Sequence, residues 1–140
     1  MGQTSHAEGA GSIATGNQSH AEGYKTTASG NTSHAEGSTT VASGYYTHAE
    51  GYKTTASGRA SHAEGGNFDA KSSALNDYIH KISDTTNITV KGSSAQGIQS
   101  HAEGTQTLAY GYSSHTEGCQ TLTKGNHSHA EGLTTTASGP

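Results

Sequence analysis

Small apolar and small polar residues alternate along this chain with a period of seven, and almost nothing large stands among them. Ala occupies positions 7, 14, 21, 28, 35, 42, 49, 56, 63 and 70, then 95, 102, 109, 130 and 137, with Thr116 and Thr123 filling the same slot. Two residues before each Ala from Ala7 to Ala63 stands Ser or Thr, from Ser5 and Ser12 to Thr54 and Ser61, and two after stands Gly, from Gly9 and Gly16 to Gly58 and Gly65. A heptad of this kind is no coiled coil, which needs bulky apolar residues at two positions and good helix formers between them. Ser/Thr, Ala and Gly at i, i+2 and i+4 share one face of a β-strand. Each heptad therefore predicts a short strand and a tight turn, with Gly supplying positive φ or close approach at the corners. Two heptads close one coil of fourteen residues. Only tiny side chains line its inside, so the coil is flattened. Nine or ten coils at about 4.8 Å each predict a rod about 45 Å long.

The outward positions differ between the two sides of the coil. One side reads His-Ala-Glu-Gly, beginning at residues 6, 20, 34, 48, 62, 101 and 129, with His-Thr-Glu-Gly at 115. All eight Glu and eight of the ten His residues lie there. The other side varies: Ile13/Thr15, Thr27/Ser29, Val41/Ser43, Thr55/Ser57, Leu108/Tyr110, Leu122/Lys124, Thr136/Ser138. A face that repeats without change suits a periodic partner.

The register breaks between Ala70 and Ser94. Phe68 falls in a Ser/Thr slot too small for it. Leu75, Tyr78, Ile79 and Ile82 then share one helical face, with Ser72 or Ser73 as N-cap and Asp77 and Lys81 four apart, which predicts a short helix over about 73–83. Ile88-Thr89-Val90 follows as an extended segment. The expected organisation is β-roll repeats over 1–70, an insertion over 71–92, and repeats continuing the same rod over 93–140.

Composition alone, with 28% hydrophobic residues, no Trp and one Phe, points to a low-complexity chain. The exact period overrides it, because a repeat buries its faces against its neighbours. The net charge of −4 and the dispersed Lys residues argue against nucleic acid as a partner. One cysteine, Cys119, allows no disulfide within the chain and reads as a spare thiol. No secretory signal and no apolar run of membrane-spanning length is legible, so no membrane insertion by this segment is expected.

The Ser/Thr-x-Ala-x-Gly register over Thr4 to Ala70 and Ser93 to Gly139 resembles the YadA-like head repeats of trimeric autotransporter adhesins. HAEG arrays are also similar to repeats of phage tail fibres and Gram-positive surface proteins. The resemblance implies an all-β fold, a left-handed parallel β-roll of 14-residue coils packed as a homotrimer, here with one short helical insertion. It also implies a cell-surface or virion location. The family turns a Val and an Ile of each repeat toward the trimer centre. In this chain His6, His20, His34, His48, His62, His101, His115 and His129 stand in the Val slot. Glu8, Glu22, Glu36, Glu50, Glu64, Glu103, Glu117 and Glu131 stand in the Ile slot. The implied seam is then a column of His and Glu, which must pair across chains because isolated charges in a seam are costly.

His and Glu two apart on a strand could clip a metal, but ions about 5 Å apart repel, and a His–Glu ladder explains the pair without one. No cofactor is expected; metal in the His/Glu columns and ice binding by ranks of Thr stand as alternatives. No unique nucleophile and base emerge from the repeat, so no enzyme is expected. The expected role is a fibre or adhesin head segment attaching to a host or cell surface through a receptor the sequence does not name. The surface contact candidates are Tyr24, Lys25, Tyr45, Tyr46, Tyr52 and Lys53, multiplied threefold in a trimer.

Overall fold

Each heptad of small residues forms one side of a flattened coil. The computed structural model describes residues 2–66, 78–81 and 87–139. Its first coils alternate β1 (His6–Ala10), β2 (Ile13–Ala14), β3 (His20–Tyr24), β4 (Thr27–Ala28), β5 (His34–Ser38), β6 (Val41–Ala42), β7 (His48–Ala49), β8 (Thr55–Ala56) and β9 (His62–Ala63). After a hairpin of β10 (Tyr78–Lys81) and β11 (Asn87–Val90), the coils resume. They comprise β12 (Ser94–Ala95), β13 (His101–Ala102), β14 (Leu108–Ala109), β15 (His115–Thr116), β16 (Leu122–Thr123), β17 (His129–Ala130) and β18 (Thr136–Ala137).

The HAEG strands build one eight-stranded sheet and the variable strands a second. Both are parallel, and each residue pairs with its own equivalent one coil on: His6 with His20, Ala7 with Ala21, Glu8 with Glu22. The described residues form eight coils, against the nine or ten expected, and make a rod about 35 Å long.

Between the sheets runs a column of Ala side chains, from Ala21 to Ala102 each wholly shielded from solvent. A methyl is all the space admits, so the sheets approach closely and burial comes from many small contacts. The flanking hydroxyls close the turns: Ser19 Oγ donates to the Gly16 carbonyl and Ser33 Oγ to that of Gly30, both at 2.7 Å. Where Thr replaces Ala, the two replacements meet. Thr116 and Thr123 share one coil and their hydroxyls bond at 2.7 Å.

Glycine does two jobs. Gly37 has φ +103 and its Cβ position would run into the carbonyl oxygen of Gly51. Gly30 has no such φ, yet its Cβ position is filled by the backbone of Gly44. The sharpest left-handed residues at the corners are not glycine at all: Lys25 (φ 54), Thr32 (φ 54), Tyr46 (φ 60) and Gln99 (φ 57). Each such conformation costs about 1–2 kcal/mol. The ladder offsets it, since Lys25 N–H bonds the Ala10 carbonyl at 2.9 Å and Thr32 N–H that of Asn17 at 2.8 Å.

The insertion departs from expectation. A helix was expected over about 73–83, but Tyr78–Lys81 is a strand, antiparallel to Asn87–Val90 in the register Tyr78 to Val90 and Ile79 to Thr89. The rest of that stretch lies outside the described residues, among which there is no helix. Ile, Thr, Tyr and Val suit a pleated surface, and a short isolated helix lacks the packing that stabilises one. The extended Ile88-Thr89-Val90 is found as expected.

The chain leaves the roll earlier than the sequence register implies, after Gly66, and returns to the same slot. Ser94–Ala95 pairs with Thr55–Ala56, so Ala95 and not Ala70 completes the coil begun at His62. Ser93, fully buried, takes the inward slot that Phe68 is too large to fill. Ile88 packs against Leu108 and Leu122, which are 0% and 3% exposed. Leu108 and Leu122, read from the alternation as outward residues, are therefore covered. The same column is uneven, with Ile13 at its other end 52% exposed, so the variable side does not present a continuous rank of Thr.

Candidate functional site

The parallel register places the eight motif histidines in one file and the eight glutamates in a second beside it. From His20 to His129 successive imidazoles stack with centroids 4.8–4.9 Å apart and planes within 12°. His6, on the end coil, turns edge-on to His20 at 62°.

Each interior His faces carboxylates of its own coil, the preceding coil, or both. His62 Nε2 is 3.8 Å from both Glu50 and Glu64. His101 Nε2 is 3.9 Å from Glu64 and 3.7 Å from Glu103. Such separations hold charges together but are too long for a hydrogen bond. The Nε2 atoms of His20, His34, His48, His62, His101 and His115 are shielded from solvent and have no hydrogen-bond partner. The pairing expected between chains thus has a counterpart inside one chain.

The environment favours neutral imidazole. His34, His62 and His101 all titrate below the ordinary 6.5, because burial disfavours the charged ring and a neighbouring His in the stack repels a second charge. Two carboxylates of the file interact with their neighbours. Glu103 is held below its usual range by hydrogen bonds with Glu64 and Glu117, while Glu117 is raised by its bonds with Glu103 and Glu131.

The contact candidates fall on two corners. Tyr24 and Lys25 share one with Tyr52 and Lys53, and each Lys Nζ lies 5.0 Å over the ring beside it. Tyr45 and Tyr46, 56% and 57% exposed, sit at the opposite corner, where Arg59 lies 5.9 Å over Tyr46. Reading the motifs missed the rest of that second corner: Arg59, the exposed Ile98, and Tyr112 set edge-on to His127 at 5.4 Å. The fourteen-residue step from Tyr45 to Arg59 and from Ile98 to Tyr112 was the available signal.

Among the described residues no helix is long and apolar enough to cross a membrane. No curated protein matches the chain. The family model described as the YadA head domain repeat matches in two copies, over residues 1–19, 21–47 and 91–114, half of the chain. With the parallel β-roll, that match shows that the chain belongs to the YadA head domain repeat family, an adhesin-type structural repeat.

Proposed function

We propose that the chain is a segment of a homotrimeric adhesin or tail-fibre head, with the His and Glu columns as its seam and corner residues, exposed or half-buried, as its contact surface. The observation that carries this is the uniformity of one face: the same His and Glu recur in register on all eight coils of one sheet. Copies packed around an axis parallel to the rod need a face that does not change along it. The second face changes at every coil and is partly covered through Ile88.

Imidazoles held toward the neutral form make such a seam more tolerable, since unpaired charges are costly there. A single corner offers little area, and three copies multiply it through effective concentration. Tyr24, Lys25, Tyr45, Tyr46, Tyr52 and Lys53 are the residues for that contact, and attachment to a host or cell surface from a surface or virion location is the role.

The test is cross-linking. In a Cys119→Ser background, His48→Cys brings three thiols to the axis if the column is the seam, and mild oxidation then yields covalent dimers. Thr27→Cys on the variable side serves as the control and yields none. Cross-linking at residue 27 with none at residue 48 contradicts the assignment.

A further inference from the structure

The unpartnered Nε2 atoms raise a separate question, because a shielded nitrogen facing two carboxylates without a hydrogen bond has spare coordinating capacity. At the coil pair flanking the insertion, His62, Glu64 and His101 each direct one ligand atom into a common space, all within 4.8 Å of one another. Glu64 Oε2 stands 3.8 Å from His62 Nε2, and its Oε1 stands 3.9 Å from His101 Nε2. Metal–ligand bonds of about 2.1 Å let one ion span at most about 4.2 Å, so a carboxylate oxygen and one Nε2 are within reach as they stand, while the two rings, stacked 4.8 Å apart, must tilt together by about an ångström or more to share the ion. Two imidazoles and one carboxylate, with a fourth position open, form a donor set suited to zinc.

We propose that neighbouring rungs of the column form His-Glu-His sites for a divalent transition ion, with His62, Glu64 and His101 as the defining site. Each ring coordinates through the unprotonated nitrogen of its neutral form. Equivalent sets recur at His6, Glu8 and His20 and at His101, Glu103 and His115.

The geometry also limits the number of ions. His101 belongs to two of these sets, and one Nε2 serves one ion. Adjacent centres would also lie about 5 Å apart and repel. Occupancy therefore alternates, so the eight column histidines hold at most four ions. The sites lie within one chain and do not depend on the proposed seam.

The full chain, stripped with chelator at neutral pH, is titrated with cobalt(II) and followed by visible absorption. Bound zinc is counted by elemental analysis after gel filtration, and light scattering on the same samples reads the oligomeric state separately. The expected result is a tetrahedral cobalt spectrum, between one and four ions per chain, and one ion fewer in the double variant Glu64→Gln, His101→Gln. Circular dichroism checks that the variant keeps its β signal. If it does not fold, the same count is read from Glu64→Gln alone, as a weakened site. No bound metal, more than four ions per chain, or a variant that binds as the native chain does would overturn the proposal.

Discussion

His62 and His101 stack with ring centroids 4.8 Å apart and planes 6° from parallel, although 39 residues separate them where fourteen separate every other pair of adjacent rungs. The excess of 25 residues leaves and rejoins the roll at one corner, between Gly66, which bridges Tyr52 and Thr105, and Gly92, which lies against Lys53. The solenoid thus passes the insertion without losing register. Deleting residues 67–91 is expected to leave a folded roll with an unchanged far-ultraviolet spectrum. It also removes the cover from Leu108 and Leu122, so the shortened chain should bind a hydrophobic dye that the native chain does not. Loss of the β spectrum would show that the insertion is needed to align the two blocks.

Acidification should destabilise the rod. His34, His62 and His101 titrate lower folded than unfolded. Below the ordinary value of 6.5 the unfolded chain therefore binds more protons, and stability falls as pH falls. Glu103, also lowered, adds a loss below the usual carboxylate range, while Glu117, raised, acts in the opposite sense. Melting temperatures followed by circular dichroism should decline from pH 7.5 to pH 5.5. A flat or rising curve would mean that the imidazole stack does not favour the neutral form.

Much of this was legible from residues 5, 7 and 9 alone. Ser5, Ala7 and Gly9, at spacing two within a period of seven, fix the strand, its inward face and the parallel stacking. His6 and Glu8 between them fix the two outward files. What the pattern did not carry was the insertion. There Leu75, Tyr78, Ile79 and Ile82 fit a helical face by spacing, yet pairing with Asn87–Val90 decided the local structure. That pairing is a tertiary contact, and it also buried Leu108 and Leu122, two residues that alternation alone sends outward. The corner conformations of Lys25 and Tyr46 were hidden for a similar reason, since the backbone ladder, not the residue type, imposes them.

The two kinds of glycine environment separate by substitution. Gly37→Ala meets both a positive φ and the backbone of Gly51, and should cost about 3 kcal/mol or more, because the stacked coils cannot move apart locally. Gly11→Ala keeps a positive φ of +73 but finds only the flexible Lys25 side chain, 3.4 Å away, and should cost about 1 kcal/mol. Urea unfolding of both variants checks the order.

Thr116 and Thr123 should be energetically coupled. Thr123 Oγ1 also donates to Ser114 Oγ at 3.0 Å, whereas Thr116 has only a long contact of 3.4 Å to the Leu108 carbonyl besides its partner. Thr123→Ala leaves a buried hydroxyl nearly unpaired and should cost more than Thr116→Ala. The double change, which restores the repeat's own Ala pair, should cost less than the two single changes together by about 0.5–2 kcal/mol. Additivity in a denaturation cycle would show that the 2.7 Å contact carries no stability.

The seam is tested most directly by the mass of the native chain in solution, measured by light scattering behind a sizing column at neutral pH with chelator present. Three times the 14.2 kDa chain mass, falling to one chain mass when His48 and Glu50 are replaced by Lys, is the expected result. A native chain that runs as a monomer would leave the His and Glu columns facing solvent and contradict the trimeric head.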